Sequence, residues 1–379
     1  MEKTFIYVLT ICLIAVLGHA QTERQSKTFS KRKENVIDVL KKHVENGLPG
    51  VAVAYYSEQE GGWAHSEGFS NLERKIPLEN ADLHYLQSVT KTYMAVAILK
   101  LMEEQKINLE DDISKYLNVR SIGELTHKGI TIRMLLNHTS GISDYATNPM
   151  FMAFVMSDLS RHFKVQECID HIKNEPVNFE PGTDYAYSNT NYVLLSMIAD
   201  KITGSHVRYI NTEILAPLGL RKTFYLTKDN YLNIPGIVDS YWDVLNIEKP
   251  INITPIQKVN VSSLRGDDGM VCTSQDAIKF LKGLMEGKLL KEETLALMQE
   301  WVLKDGNKRY GLGLSYYDLG ATYGIGHSGG GIGAGCVLMY LPELHAYVFM
   351  ATNFSTLIEG KIVEKSASIQ TDILSALFL

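Results

Sequence analysis

The sequence has few cysteines and no motif that would pair them or place them around a metal. Four cysteines occur in 379 residues, and the three beyond the N-terminal segment, Cys168, Cys272 and Cys336, are odd in number and widely spaced. This pattern excludes the disulfide framework of a small secreted domain. Because Cys-x-x-Cys and His-Glu-x-x-His motifs are also absent and the histidines are scattered, we predict no structural or catalytic metal and no cofactor.

Positive charge is also scarce. The 43 acidic residues outnumber the 37 Lys and Arg residues, and the resulting net charge of −6 leaves no basic field for phosphates. Nucleic acid is therefore excluded as a partner. Ten prolines and 29 glycines are too few for a disordered or fibrous chain. Composition indicates a large globular protein and leaves its chemistry open.

The N-terminal segment carries an apolar run of 13 residues, Phe5 to Leu17, which is shorter than the roughly 20 that a membrane-spanning helix needs. Gly18 and Ala20 then supply the small residues that signal peptidase favours. We predict a signal peptide over residues 1–20, cleaved after Ala20, an exported (periplasmic or secreted) protein, and no stable membrane insertion. Retention of the segment as an anchor is the alternative. Residues 21–34, which include a short basic stretch, are interpreted as a solvated spacer.

Hydrophobic periodicity predicts strands near both ends of the remaining chain and helices between them. Strands are predicted at Val51–Ser57, Trp63–Phe69, Gly311–Tyr317, Cys336–Leu341 and Ala346–Thr352, the first two joined through Gly61-Gly62. Helices are predicted at Glu34–Glu45, Thr90–Glu104, Ile132–Leu136, Gln166–Lys173, Tyr192–Thr203, Val207–Leu215, from a Thr273/Asp276 capping box to Met285, and at Lys361–Leu377. The two ends should form one sheet. Its α/β parts would cover about 35–110 and 225–379, with a helical part at about 111–224.

Ser88 and Lys91 are the first candidates for catalysis. Ser-x-x-Lys occurs at Ser30–Lys33, in a polar segment, and at Ser88–Lys91, which opens the most apolar helix. There the i, i+3 spacing places the ammonium over the hydroxyl, and the helix N-terminus favours an anion. A buried lysine whose pKa falls can also accept the serine proton. The alternative is that Ser88 only caps the helix and Lys91 is a surface charge.

Tyr187-Ser188-Asn189 is the second candidate motif. It follows the turn residues Glu180-Pro181-Gly182 and precedes a predicted helix. A tyrosine held near two cations can lose its proton below its usual pKa of about 10 and act as a general base. Asn189 offers an acceptor to Lys91 and a donor to a substrate carbonyl. The alternative is a helix capped by Ser188 beside a packed tyrosine.

The third candidate is Gly326-His327-Ser328-Gly329-Gly330. Its glycine pattern matches both a nucleophile elbow and a dinucleotide fingerprint, but each of these needs a following helix and here a strand follows. The segment can instead place a histidine, a serine hydroxyl and glycine N–H groups along a strand edge. That arrangement suits a substrate carboxylate and an oxyanion.

In this order and at these long spacings, the three motifs resemble the signatures of the serine β-lactamase and penicillin-binding-protein superfamily. The Tyr-x-Asn motif is that of the branch with class C β-lactamases and D-alanyl-D-alanine carboxypeptidases. Leu135–Gly141 and Glu180-Pro181-Gly182 are also similar to the family, and the resemblance runs from about Asn35 to the C-terminus. It implies an α+β fold over residues 35–379. An antiparallel sheet would be flanked by N- and C-terminal helices beside an all-helical region, with the site in the cleft between.

The resemblance also implies a role for each matching residue. Ser88 would be the nucleophile, Lys91 its activator and Tyr187 the base that passes the proton to the leaving group. The substrate would be bound by Asn189, His327, Ser328 and Gly329, and the oxyanion hole would consist of the backbone N–H groups of Ser88 and Gly330. An acyl-enzyme would form and water would then hydrolyse it.

His327 stands where class C β-lactamases usually carry a lysine. With a reference pKa near 6.5, it would be a cation only at low pH, so its attraction for a substrate carboxylate should weaken as pH rises. His-x-Gly resembles the carboxypeptidase, D-amino-peptidase and esterase-like members more than true β-lactamases.

The expected function is an exported serine hydrolase that cleaves an amide or ester bond. Its substrate would be a small peptide, a peptidoglycan-derived molecule or an ester. A D-alanyl-D-alanine carboxypeptidase-like peptidase ranks first, and an esterase or β-lactamase of the same fold second. A non-catalytic peptidoglycan-binding or sensing module is a further alternative. The oligomeric state is left open.

Overall fold

The computed structural model describes residues 30–320, 322–356 and 360–378. The predicted signal peptide and most of the predicted spacer lie outside these residues. Residues 30–34, which the sequence assigns to the spacer, belong instead to the first helix, α1 (residues 30–45), where Arg32 pairs with Glu60 at 2.9 Å. Within the described part of the chain, no helix combines the length and the apolar character needed to cross a membrane.

The fold is built around an antiparallel sheet of nine strands. Its strand order is β3-β2-β1-β14-β13-β12-β11-β10-β9, with short three-stranded (β4-β8-β5) and two-stranded (β6-β7) sheets beside it. In chain order the strands are β1 (Gly50–Ser57), β2 (Gly61–Asn71), β3 (Ile76–Pro77), β4 (His84–Tyr85), β5 (Thr223–Tyr225), β6 (Tyr241–Trp242), β7 (Ile251–Asn252), β8 (Met270–Cys272), β9 (Val302–Lys304), β10 (Asn307–Tyr310), β11 (Ser315–Asp318), β12 (Tyr323–Gly330), β13 (Gly335–Leu341) and β14 (Ala346–Thr352). The two ends of the chain meet where β1 pairs with β14, Val51 opposite Thr352.

Helices fill the middle of the chain and close both ends. After α1 they are α2 (Thr90–Glu103), α3 (Val119–Ile122), α4 (Ile132–Leu136), α5 (Pro149–Ser157), α6 (Val165–Asp170), α7 (Asn189–Thr203), α8 (His206–Ile210), α9 (Ala216–Leu218), α10 (Thr254–Ser263), α11 (Ser274–Met285), α12 (Glu292–Met298), α13 (Lys361–Ser366) and α14 (Ile369–Phe378). A π-helical turn, Asn211–Leu215, connects α8 to α9. The helix predicted at Ile132–Leu136 is confirmed, as is the end of α7 at Gly204, which has a left-handed φ of +78°.

Helices cover both faces of the large sheet because successive residues of its central strands point to opposite sides. On β14, Val348 packs in one cluster with Leu40 of α1 and Ile373 of α14. Its neighbour Phe349 belongs to a second cluster on the other face, which contains Ile98 of α2 among the inner helices. The α+β class, with a sheet flanked by N- and C-terminal helices, is confirmed.

The strand predicted at Gly311–Tyr317 is wrong in its first half. Gly313 has a left-handed φ of +85°, and a Cβ added there would lie 2.2 Å from the Cβ of Ala95 on α2. Because the chain must turn at this close approach, residues 311–314 form a turn and β11 begins only at Ser315. The close contact is tertiary, so local sequence does not reveal it.

Two helix predictions also need correction. The predicted C-terminal helix is divided into α13 and α14 by a turn at residues 367–368. Thr273 caps α11 by accepting a hydrogen bond from the Asp276 N–H, as predicted, but the Asp276 carboxylate does not return to Thr273. It accepts instead from Lys222 N–H at 2.8 Å and from the Thr223 hydroxyl at 3.0 Å, so the cap ties α11 to β5.

Candidate active site

Ser88 lies in a 3₁₀ turn, Gln87–Val89, that leads directly into α2. Gln87, the residue before it, has a left-handed φ of +47°, which L-residues rarely adopt. Such backbone strain persists where the surrounding structure enforces it, and it is frequent at functional sites. The turn leaves Ser88 half-buried at the wall of a cavity of about 740 Å³.

Lys91, one turn further along, is fully buried, which excludes the surface-charge interpretation. Its Nζ donates hydrogen bonds to Ser88 Oγ at 2.9 Å, Asn189 Oδ1 at 2.7 Å and the backbone oxygen of Asp267 at 2.8 Å. An ammonium group has three N–H donors, and each has an acceptor here. The lysine therefore links the serine of the first motif to the asparagine of the second.

The protonation of Lys91 differs from the sequence expectation. Burial disfavours its charge, but interactions with Tyr187 and Asp267 outweigh that effect and raise the pKa of Lys91 above its ordinary value. This direction favours the charged form of Lys91 and does not support the expectation that a lowered pKa lets it accept the serine proton.

Tyr187 is 38 % exposed and lies beside this cation. The Lys91 Nζ is 5.1 Å from the centre of the Tyr187 ring. The same ring contacts His138 at a centroid distance of 4.3 Å and His327 at 6.3 Å. The Tyr187 ring therefore lies between Lys91 and the two histidines of the site and also lines the cavity.

His138, which the sequence did not single out, positions the second motif. It has a left-handed φ of +62°, and its Nδ1 accepts hydrogen bonds from Asn191 Nδ2 at 3.0 Å and from the Ser188 N–H at 3.3 Å. Burial and the charge of Lys91 lower the pKa of His138 well below its ordinary value. The residue lies in Leu135–Gly141, the stretch that is similar to the family, and this similarity is the sequence feature that could have identified it.

Two aspartates in the site were also missed, because neither belongs to one of the three candidate catalytic motifs. Asn189 Nδ2 donates to Asp144 Oδ2 at 2.9 Å, which fixes the amide that faces Lys91. The hydroxyl of Tyr145 donates to Asp267 Oδ2 at 2.6 Å. Burial raises the pKa of both carboxyl groups.

His327 is not the conditional cation that the sequence predicts. Its Nδ1 lies 2.6 Å from the Ser328 backbone oxygen, which can only accept, so Nδ1 carries the proton. Its Nε2 then accepts from the Tyr310 hydroxyl at 2.8 Å. Burial, together with the charge of Lys91, lowers the pKa of His327 to about 3. The ring is neutral near pH 7, and both nitrogens are already hydrogen-bonded.

Strand β12 brings the third motif against the Ser88 turn. A Cβ on Gly329 would lie 2.4 Å from the Leu86 backbone oxygen, so only glycine allows this approach. Gly331, the residue after β12, donates its N–H to the backbone oxygen of Ala334, the residue before β13. Because successive residues of an antiparallel ladder alternate between facing the partner strand and facing away from it, the Gly330 N–H points away from β13. On that side β12 extends beyond its last partner on β11, Ser315, which pairs with Gly326. The Gly330 N–H therefore faces the open edge of β12.

The cavity brings most of the predicted residues together. Its lining includes Ser88, Tyr187, Asn189, His327, Ser328 and Gly330. Lys91 is buried behind Ser88, and Gly329 is packed against the turn. Among the described residues, no group of three His, Cys, Asp or Glu side chains is arranged to hold a metal ion.

Comparisons with known proteins agree with this geometry. The Beta-lactamase family profile matches residues 34–367. Penicillin-binding protein 4* of Bacillus subtilis (strain 168) is 30 % identical over 247 residues, covering 62 % of this chain and 52 % of that protein. The chain thus spans about half the length of that relative. An Escherichia coli (strain K12) protein with the inferred name D-alanyl-D-alanine carboxypeptidase is 22 % identical, covering 93 % of this chain and 91 % of that protein. The crystal structure of a D-stereospecific amidohydrolase from Streptomyces sp. superposes with a TM-score of 0.74 at 25 % identity, covering 88 % of this chain and 97 % of that one.

Proposed function

Since this chain belongs to the Beta-lactamase family, we propose that it is a serine hydrolase that cleaves an amide or ester bond through an acyl-enzyme on Ser88. The observation that carries the proposal is that Lys91 Nζ donates hydrogen bonds to both Ser88 Oγ and Asn189 Oδ1. These groups lie beside Tyr187, at the wall of a substrate-sized cavity. Nucleophile, cation and proton carrier are within reach of one another.

In the proposed reaction, Ser88 Oγ bonds to the substrate carbonyl carbon and its proton passes to Tyr187. We assign the proton to Tyr187 because its ring lies beside the buried Lys91, which also donates a hydrogen bond to Ser88 Oγ. The N–H groups of Ser88 and Gly330 would stabilise the oxyanion. The bond to the leaving nitrogen or oxygen then breaks, and the leaving group takes the proton from Tyr187. Water attacks the acyl-enzyme by the same route in reverse and restores the Ser88 hydroxyl.

The leaving group decides between two finer functions. A D-alanyl-D-alanine carboxypeptidase-like peptidase must accept a terminal carboxylate, and the neutral His327 supplies no cation for it. Arg309, an exposed residue of β10 that lines the cavity, is the cation we assign to that role. An amidase or esterase with an uncharged leaving group needs no such cation, and the neutral His327 is the observation that favours this second candidate.

The first experiment asks whether Ser88 is the nucleophile. Wild type, Ser88→Ala and Ser30→Ala are treated with a fluorophosphonate probe and with a fluorescent penicillin. Ser30 is the matched control, because it is the exposed serine of the other Ser-x-x-Lys motif. We expect wild type and Ser30→Ala to be labelled and Ser88→Ala not to be. Labelling that persists in Ser88→Ala would refute the mechanism, and an unlabelled wild type would favour a binding module.

The second experiment identifies the leaving group. D-Ala-D-Ala peptides, D-amino-acid amides, short-chain nitrophenyl esters and nitrocefin are compared on wild type and on Arg309→Met. A carboxypeptidase should lose activity selectively on the carboxylate-terminated peptide in Arg309→Met. Equal activity of both proteins on amides and esters, with little turnover of the peptide, would support the amidase or esterase. Efficient nitrocefin hydrolysis would favour a β-lactamase instead.

Export is also proposed, on the signal-peptide pattern of residues 1–20. N-terminal sequencing of the protein from its native host should find Gln21 first.

A further inference from the structure

We propose that the acyl part of the substrate is an uncharged apolar group, a medium-length alkyl chain or an aromatic system, bound between α5 and α10. The inference rests on the proposed function, because it names the substrate of the same cavity. It comes from the part of the cavity beyond Ser88, which the catalytic groups do not use.

Helix α5 forms one wall of this part of the cavity. Four of its apolar residues, Phe151, Met152, Val155 and Met156, line the space. Only Phe151 is buried, whereas Met152 is 49 % and Met156 is 60 % exposed. A short helix that keeps methionines open to a cavity presents a flexible apolar surface, which suits an apolar ligand of variable shape.

Helix α10 forms a second wall. Six residues of the helix and its flanking positions line the cavity, and four of them are apolar: Ile253, Ile256, Val259 and Leu264. Gln257 and Asn260 are the polar members, and the buried Gln257 amide has no hydrogen-bond partner among the described residues. Two helices of different parts of the chain thus present largely apolar surfaces to the same space.

The charges at this end leave no free cation for an anionic acyl group. Arg161 is the one cation among the described residues that line it, and its guanidinium pairs with Glu167 and lies 4.4 Å from the centre of the Phe154 ring. A carboxylate placed between the helices would lose its water without gaining a partner, which is unfavourable. The acyl group is therefore uncharged.

The orientation of the substrate follows from the position of the proton carrier. Tyr187 contacts Tyr310 and His327 at the strand end of the cavity, at centroid distances of 6.1 Å and 6.3 Å. Since Tyr187 returns its proton to the leaving group, that group departs at the strand end. The acyl part then extends the other way, towards α5 and α10. A volume of about 740 Å³ is in the range of sites for drug-sized ligands.

The test is a series of p-nitrophenyl esters from acetate to octanoate, with kcat/KM measured on the full-length protein. Each buried CH2 contributes about 0.8 kcal/mol, or about a fourfold change. We expect kcat/KM to rise at least about tenfold from butyrate to octanoate. Met156→Asp should reduce the octanoate-to-butyrate ratio to about 1. Met150→Asp is the matched control, since Met150 is on the same helix, is 70 % exposed and does not line the cavity. It should keep the wild-type ratio.

The outcomes separate this inference from the proposed function. A flat or falling series with Ser88-dependent acetate hydrolysis would overturn the acyl-group inference and leave the hydrolase intact. A rising series that Met156→Asp does not alter would show that the acyl chain of the ester binds elsewhere, which also overturns the acyl-group inference. If no ester is hydrolysed and Ser88 is not labelled, the proposed function itself fails. Near-ultraviolet circular dichroism of both variants verifies that they are folded, and Ile256→Asp repeats the test from the α10 wall.

Discussion

Replacing His84 by leucine tests, away from the active site, the burial effect that keeps His327 neutral. His84 is 1 % exposed on β4, near Phe349, and neither of its ring nitrogens has a hydrogen-bond partner among the described residues. Burial lowers the pKa of His84 from 6.5 to about 4. The folded protein therefore holds a neutral imidazole where the unfolded chain would take up a proton at mildly acidic pH.

The size of the effect follows from proton linkage. Because the unfolded state binds the proton below pH 6.5 and the folded state only below about 4, stability is lost as the pH falls between these values. Between pH 7 and pH 5 the loss from His84 is about 2 kcal/mol, at 1.36 kcal/mol per pKa unit. This figure changes little if the folded pKa is lower still. Leucine has no proton to bind, so His84→Leu should remove that loss.

The assay is urea unfolding of wild type and His84→Leu at pH 7 and at pH 5. We expect the free energy of unfolding to decrease less in the variant, by about 2 kcal/mol between the two pH values. At pH 7 the variant should be as stable as wild type or more stable, because it buries no unpaired polar atom. Gln257→Leu is the control, since Gln257 is 1 % exposed, its side-chain amide has no hydrogen-bond partner among the described residues, and an amide binds no proton between pH 7 and pH 5. Equal pH dependence of wild type and His84→Leu would refute the reasoning, for His84 and for His327.

Four further predictions concern the active site. Lys91→Met should lower kcat/KM for a nitrophenyl ester by about 10²–10⁴-fold, the range for lost acid–base assistance; steady-state kinetics that show less than a tenfold loss would contradict its role. Gly329→Ala should cost about 1–3 kcal/mol of stability, measured by urea unfolding, and should lower kcat. The reason is that the new Cβ would lie 2.4 Å from the Leu86 oxygen, and an unchanged midpoint would contradict this packing. With a His327 pKa of about 3, KM for a carboxylate-terminated peptide should show no titration near pH 6.5. Tyr310→Phe should cost about 1–3 kcal/mol, because the His327 Nε2 loses its donor, and a loss below about 0.5 kcal/mol would argue against that bond.

The residue types and spacing of the motifs predicted which side chains meet in the cavity. Ser88 and Lys91 are one helical turn apart, so their contact is local and can be predicted from their spacing in the sequence. Tyr187 and Asn189 also share a short motif at the start of a helix. In each case the residues of the motif are close along the chain, so their relative position is set locally and can be predicted from the sequence.

Protonation was not predictable in the same way, because it depends on what surrounds a group in three dimensions. His327 is a reasonable cation in the sequence, but it is enclosed and hydrogen-bonded on both nitrogens in the fold. Acidic groups from distant segments raise the pKa of Lys91, although burial acts in the opposite direction. Asp144 and Asp267 belong to none of the three catalytic motifs. His138 reaches the second motif from a left-handed backbone position, where its Nδ1 accepts hydrogen bonds from Asn191 and Ser188.

Short elements were missed for a related reason. Strands of two or three residues, such as β4 and β8, have too few side chains to show a period-two pattern. They form because tertiary packing aligns the chain segments on either side. The turn at Gly313, pressed against Ala95, has the same origin.

The pairing of β1 with β14 makes this a fold of high contact order. A hydrogen bond between Thr352 and the Gly50 backbone oxygen joins positions 302 residues apart, and loop-closure entropy must be overcome before such contacts stabilise the chain. During synthesis, the edge of β1 that pairs with β14 waits unpaired until nearly the whole protein has emerged. The same is true of the contact between β12 and the Ser88 turn, so the nucleophile is made early but its oxyanion partner is made late. We expect folding to be slow, and incomplete chains to be inactive and prone to aggregate through the exposed β1 edge.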